Sequence, residues 1–128
     1  MFSRTDTETA DFANSEATLV GVTVEDGSIK MARSYGWFGE YVSSTTVADS
    51  DILCAEATWS AEIDAGPILV FLTNDGGDNW YQIESGIRFD FPTPGKNLAY
   101  KLHFYTEDSA RTPILHDITV TYSLGMSA

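Results

Sequence analysis

Residues 97–106 alternate between apolar and polar positions almost without a break. Leu98, Tyr100, Leu102 and Phe104 share one face of an extended chain, and Ala99, Lys101, His103 and Tyr105 share the other. A period of two belongs to a strand with one face in a core and one face in water, and it restricts the chain to folds built on sheets. The pattern returns at Ile114, His116, Ile118, Val120, Tyr122 and Leu124, with Asp117, Thr119, Thr121 and Ser123 opposite. On this reading Lys101, His103 and Tyr105 are an ordinary wet face, and function belongs at the ends and edges of the sheets.

Further strands follow from the same logic. Thr18–Val24 and Ile29–Arg33 flank Glu25-Asp26-Gly27-Ser28, and Asp-Gly between apolar runs marks a hairpin. Tyr41–Thr46 is short and extended. Leu53, Ala55, Ala57, Trp59 and Ala61 alternate on one face. Ile68–Leu72 is continuously apolar, which predicts a central strand buried on both faces. Trp80–Ile83 and Ile87–Phe91 complete the set, with Pro92-Thr93-Pro94-Gly95-Lys96 as a rigid loop. About eight or nine short strands at regular spacing predict an all-β, antiparallel, jelly-roll-like sandwich. No long helix and no internal repeat is evident. Residues 1–17 are polar and lack alternation, so they are expected to be an N-terminal arm, poorly ordered alone or ordered against a partner. Residues 18–128 are expected to form a single β-sandwich domain, since 128 residues suffice for one core and are too few for two.

Nineteen acidic residues against seven basic ones give a formal net charge of −12. Such a field repels phosphate backbones and anionic membranes, so no nucleic acid and no membrane is expected as partner. Cys54 is the single cysteine, so no internal disulfide can form, and its apolar neighbours predict an inert buried thiol. The chain opens Met1-Phe2-Ser3-Arg4 with no apolar stretch behind it, from which synthesis in a cytoplasm is expected.

Thr73-Asn74-Asp75-Gly76-Gly77-Asp78-Asn79-Trp80 fits Ser/Thr-x-Asp-x-Gly-x-x-Trp and resembles the Asp-box of sialidase-type propellers. A single copy cannot build a propeller. The reading adopted is a structural turn: Asp75 accepts backbone N–H groups, Gly77 allows positive φ, and Trp80 anchors the hairpin in the core. A calcium site would need about six oxygen ligands where only Asp75 and Asp78 are local, so no metal and no cofactor is assigned.

Tyr35, Trp37, Phe38 and Tyr41 lie in a glycine-punctuated loop. With Phe2 and Phe12 of the arm they form the candidate partner-binding set, because aromatics give contact area at low entropic cost. His103 and His116 have no Cys or second His at ligand spacing, and no nucleophile-elbow sequence frames a serine. Asp49, Asp51, Glu56, Glu62, Asp64, Glu84 and Asp90 are read as solvated carboxylates rather than an acid–base pair. No enzymatic role is assigned.

Thr58-Trp59, the Asp75–Trp80 hairpin, Leu98–Leu102, Thr112–Tyr122 and Gly39-Glu40-Tyr41-Val42-Ser43-Ser44 together resemble jelly-roll or galactose-binding-like sandwich modules. Such modules occur as carbohydrate-binding or adhesive appendages of secreted proteins and as parts of phage virions. The resemblance implies a non-enzymatic virion structural protein, a phage capsid decoration (cement) protein or small head or tail appendage. It would be localised on the virion, bind a major capsid protein and sister subunits, and form a homo-oligomer, with a trimer favoured by analogy. The alternative it implies is a carbohydrate-binding module that holds a glycan on the surface aromatic loop.

Overall fold

A computed structural model describes residues 2–6, 12, 16–25, 27–31, 38–63, 65–106 and 112–124. Over these residues the chain is an antiparallel β-sandwich of two six-stranded sheets. In chain order the strands are β1 (Phe2–Asp6), β2 (Thr18–Val20), β3 (Val22–Glu25), β4 (Ser28–Met31), β5 (Phe38–Val42) and β6 (Thr46–Val47). They continue with β7 (Ile52–Glu62), β8 (Ile68–Thr73), β9 (Tyr81–Ile83), β10 (Phe89–Asp90), β11 (Asn97–Tyr105) and β12 (Ile114–Leu124). One sheet runs β10-β7-β12-β4-β3, with β1 also on β12. The other runs β2-β5-β11-β8-β9, with β6 also on β11. The strands outnumber the eight or nine read from the sequence because several are only two or three residues long. The predicted 18–24 strand, for one, divides at Gly21, whose φ of 69° is open to glycine at little steric cost.

The long strands β11 and β12 supply more of the described core than any other two strands. Leu98, Tyr100, Leu102 and Phe104 from one sheet meet Leu115, Ile118 and Val120 from the other, joined by Tyr41, Ile29, Ile52, Val70 and Leu72. Each large side chain removed from water contributes roughly 1.5–3 kcal/mol before conformational entropy is subtracted.

Three sequence expectations change here. Ile68–Leu72 is buried on one face only: Ile68, Val70 and Leu72 point inward, while Leu69 and Phe71 are half-exposed. Among the described residues no layer covers the outer side of that sheet; its apolar side chains rest instead on neighbouring outward residues. The alternation in β7 breaks at Leu53, which is 48% exposed while Ile52 is fully buried. A register shift between Ser123 and Leu124 pairs Leu124 with Ile52 and Ser123 with Cys54. Leu53 is therefore the extra residue of a bulge, which reverses the phase of the strand. Cys54 is accordingly half-buried rather than fully buried.

The third change concerns the N-terminal arm. Phe2–Asp6 is a strand of this chain's own sheet, antiparallel to β12 from Ile118 to Tyr122. Arg4 and Asp6 sit opposite the inward-facing Val120 and Ile118. Arg4 pairs with Asp6 at 3.1 Å and donates to the Ser44 carbonyl at 2.6 Å, Ser44 Oγ at 2.9 Å and Thr46 Oγ1 at 3.1 Å. The Tyr100 hydroxyl donates to Asp6. Burial, reinforced by the Asp6 carboxylate, pushes that hydroxyl far above its usual range, so it stays a donor. These contacts bind the edge of one sheet to the β5–β6 connection of the other.

Candidate functional site

The outward side chains of β5, β11 and β8 fall into register. Phe38 stands opposite Tyr105, Glu40 opposite His103, and Val42 opposite Lys101. Lys101 and His103 stand in turn opposite Phe71 and Leu69. Directly paired residues project from the same side of a sheet, so strand pairing alone gathers these side chains on one surface.

Their rings form a continuous chain. Phe38 lies 5.0 Å from His103 and 5.2 Å from Tyr105 between ring centroids, and His103 lies 4.8 Å from Phe71. Lys101 Nζ is 5.3 Å from the Phe71 centroid and 4.7 Å from that of Trp80. Phe38 is 40% exposed and Tyr105 36%. At its centre His103 Nε2 and a Glu40 carboxylate oxygen are 2.9 Å apart. The platform offers flat apolar rings beside a carboxylate, an imidazole and an ammonium. Such a surface can stack on the apolar face of a flat ligand and hydrogen-bond its polar rim.

The candidate partner-binding residues scatter when placed in the fold. Phe38 is on the platform. Tyr41 is fully buried, as is Phe12. Their rings meet edge-on at 6.2 Å, Tyr41 stacks on Tyr100 at 6.0 Å, and the Tyr41 hydroxyl donates to the Phe12 carbonyl. Both are therefore corrected from surface contacts to core: Tyr41 pairs with the inward Leu102, so strand phase turns it away from Phe38 and Glu40. Phe2 has its backbone paired with Tyr122, and its side chain lies outside the described residues. Tyr35 and Trp37 also lie outside them.

In the turn after β8, Asp75 accepts from the Thr73 hydroxyl at 2.6 Å, the Asn79 backbone N–H at 3.0 Å and the Asn79 side-chain amide at 2.8 Å. Gly77 has φ 102° and lies under the Trp80 ring, the space for a Cβ being 3.5 Å from it. Trp80 is half-buried against Lys101, on the platform side, rather than in the core.

Sequence reasoning missed Phe71, Lys101, His103, Tyr105 and Glu40 as a group. Alternation placed three of them on a wet face, but nothing local reveals which strands lie beside that face.

His116 is the other histidine to consider. It approaches Ser28 Oγ through Nδ1 at 3.0 Å and Glu62 through Nε2 at 2.7 Å. The register shift between Leu115 and Asp117 makes it a bulge residue and turns it outward. Serine-hydrolase triads put the serine on Nε2 and the carboxylate on Nδ1; here the order is reversed. The His116 and Glu62 side chains are 41% and 61% exposed, and the trio is a polar cross-tie over β4, β12 and β7.

No protein-family model and no curated protein matches the sequence. Solved structures do match by fold. A low-affinity xylan binding module, CBM86, from the gut symbiont Roseburia intestinalis superposes with a TM-score of 0.50 at 14% identity, covering 96% of this chain and 97% of that one. A family two carbohydrate esterase from Cellvibrio japonicus aligns at 18% identity with a TM-score of 0.42, and this chain spans about a third (35%) of its length. The likeness to the first establishes the sandwich fold over nearly the whole of both chains.

Proposed function

We propose that this protein is a non-catalytic glycan-binding module whose site is the aromatic platform on the outer face of the β2-β5-β11-β8-β9 sheet. The observation that carries this reading is the unbroken ring chain Tyr105–Phe38–His103–Phe71, extended through Lys101 to Trp80. Sugar rings present C–H faces that stack on such side chains and hydroxyl rims that pair with groups like Glu40 and His103. A fold neighbour of matching length is a xylan-binding module, which supports the reading at the level of class. The site differs from the aromatic loop expected from the sequence: Phe38 is common to both, and Glu40, Phe71, Trp80 and the outward residues of β11 provide the rest. A capsid partner and a trimer have no comparable observation behind them, because the sandwich alone serves both roles.

Affinity electrophoresis through gels containing xylan, hydroxyethyl cellulose, galactomannan or galactan tests the proposal. At least one polysaccharide is expected to retard the protein. Combining Phe38→Ala with Tyr105→Ala is expected to weaken that binding about tenfold or more, with an unchanged circular dichroism spectrum. A protein retarded by none of these gels, or a variant retarded as strongly as the parent, overturns it.

A further inference from the structure

Lys101 is the unusual member of the platform. In a chain with 19 acidic and seven basic residues, three of the five basic residues among those described have a carboxylate at hand, and Lys96 and Lys101 do not. Arg4 is paired with Asp6, Lys30 with Glu25 and Arg88 with Asp90. Lys101 Nζ lies between the Phe71 and Trp80 rings, and among the described residues no hydrogen-bond acceptor reaches it. One carboxylate of the platform and one of the β8–β9 turn are already engaged. Glu40 is held by His103 at 2.9 Å, and Asp75 is bound by Thr73 and Asn79.

Attraction to the rings positions this ammonium but supplies no acceptor for its three N–H donors. It is half-exposed, and so open to a ligand stacked on the same rings.

We propose that Lys101 is a specificity residue for acidic glycans: it takes the carboxylate of a uronic-acid or similar substituent on a polysaccharide whose backbone lies on the platform. This rests on the glycan-binding reading above and narrows it to a ligand class. The carboxylate would make a charge-assisted hydrogen bond to Nζ. The net charge of −12 disfavours densely charged polyanions. It leaves sparsely substituted chains acceptable, because charges beyond about 8 Å are screened at physiological ionic strength.

The test compares matched pairs: arabinoxylan with glucuronoxylan, and hydroxyethyl cellulose with carboxymethyl cellulose of low substitution. The quantity read is the ratio of acidic to neutral affinity. In at least one pair the parent protein is expected to favour the acidic member about threefold to fivefold, as for an exposed ion pair. That ratio is expected to fall towards one in 0.5 M salt, a concentration well into the range where roughly 3–8 Å screening removes it. Lys101→Met, which keeps the alkyl stem between the rings, is expected to abolish the ratio, and Lys101→Arg to restore it. A ratio near one in the parent for both pairs, or one that survives Lys101→Met, overturns the assignment of Lys101 while the platform stands. Binding to neither member of either pair, and to none of the gels above, removes the glycan reading and this inference with it.

Discussion

At the scale of single residues, Asp75 shows how a short motif becomes geometry. Burial by itself would raise its pKa, but hydrogen bonds from Thr73, from the Asn79 side chain and from the Asn79 and Gly77 backbone outweigh this and hold the carboxyl at about 2. A depressed folded pKa stabilises the native state above the unfolded value of about 3.9, and that contribution is lost as pH falls towards 2. Asp75→Asn is therefore expected to lower stability by about 1–2 kcal/mol at pH 7. The gap from the parent should close between about pH 4 and pH 2, as read from urea denaturation at each pH. A gap that persists at pH 2 would mean the carboxylate's charge is not what holds the turn. All these contacts fall within residues 73–79, which is why spacing in the sequence can describe them. The destination of Trp80 is a different matter, because Lys101 comes from another strand.

At the scale of elements, two bulges mark the limit of what alternation reveals. The patterns in β11 and most of β12 match their burial closely. A bulge inserts one residue and inverts every side chain on one side of it, and no residue type announces it. That is how Leu53 and Ile52 exchange places, and how Leu115 takes the core position that the pattern gave to His116. The consequence is measurable. Ile52→Ala is expected to cost about 2–4 kcal/mol, the usual loss for an aliphatic side chain in a packed core. Leu53→Ala is expected to stay within about 0.5 kcal/mol, as at an exposed site. Chemical denaturation of the two variants separates the alternatives, since an unbroken alternation predicts the reverse order.

At the scale of the whole molecule, the sandwich was legible and the site was not. Fold class follows from periods and turns, which are properties of short segments. The platform unites residues 38, 40, 71, 80, 101, 103 and 105, and their proximity depends on β11 lying between β5 and β8. The N-terminal segment is another case of long-range pairing hidden from local pattern. A polar stretch invites the expectation of an arm for a partner, yet Arg4 and Asp6 close the side of the sandwich by reaching Ser44, Thr46 and Tyr100. Deleting residues 1–6 would uncover Val120 and Ile118 on β12. It would also strand the buried Tyr100 hydroxyl with no acceptor, a cost of about 1–3 kcal/mol on its own. The truncated chain is therefore expected to lose about 3 kcal/mol or more of unfolding free energy. Because the lost contacts are within one chain, that loss should not depend on protein concentration. Denaturation across a hundredfold range of concentration decides the point. A truncated protein as stable as the parent when dilute would return the segment to the role of an arm, since stability that comes from a partner follows mass action.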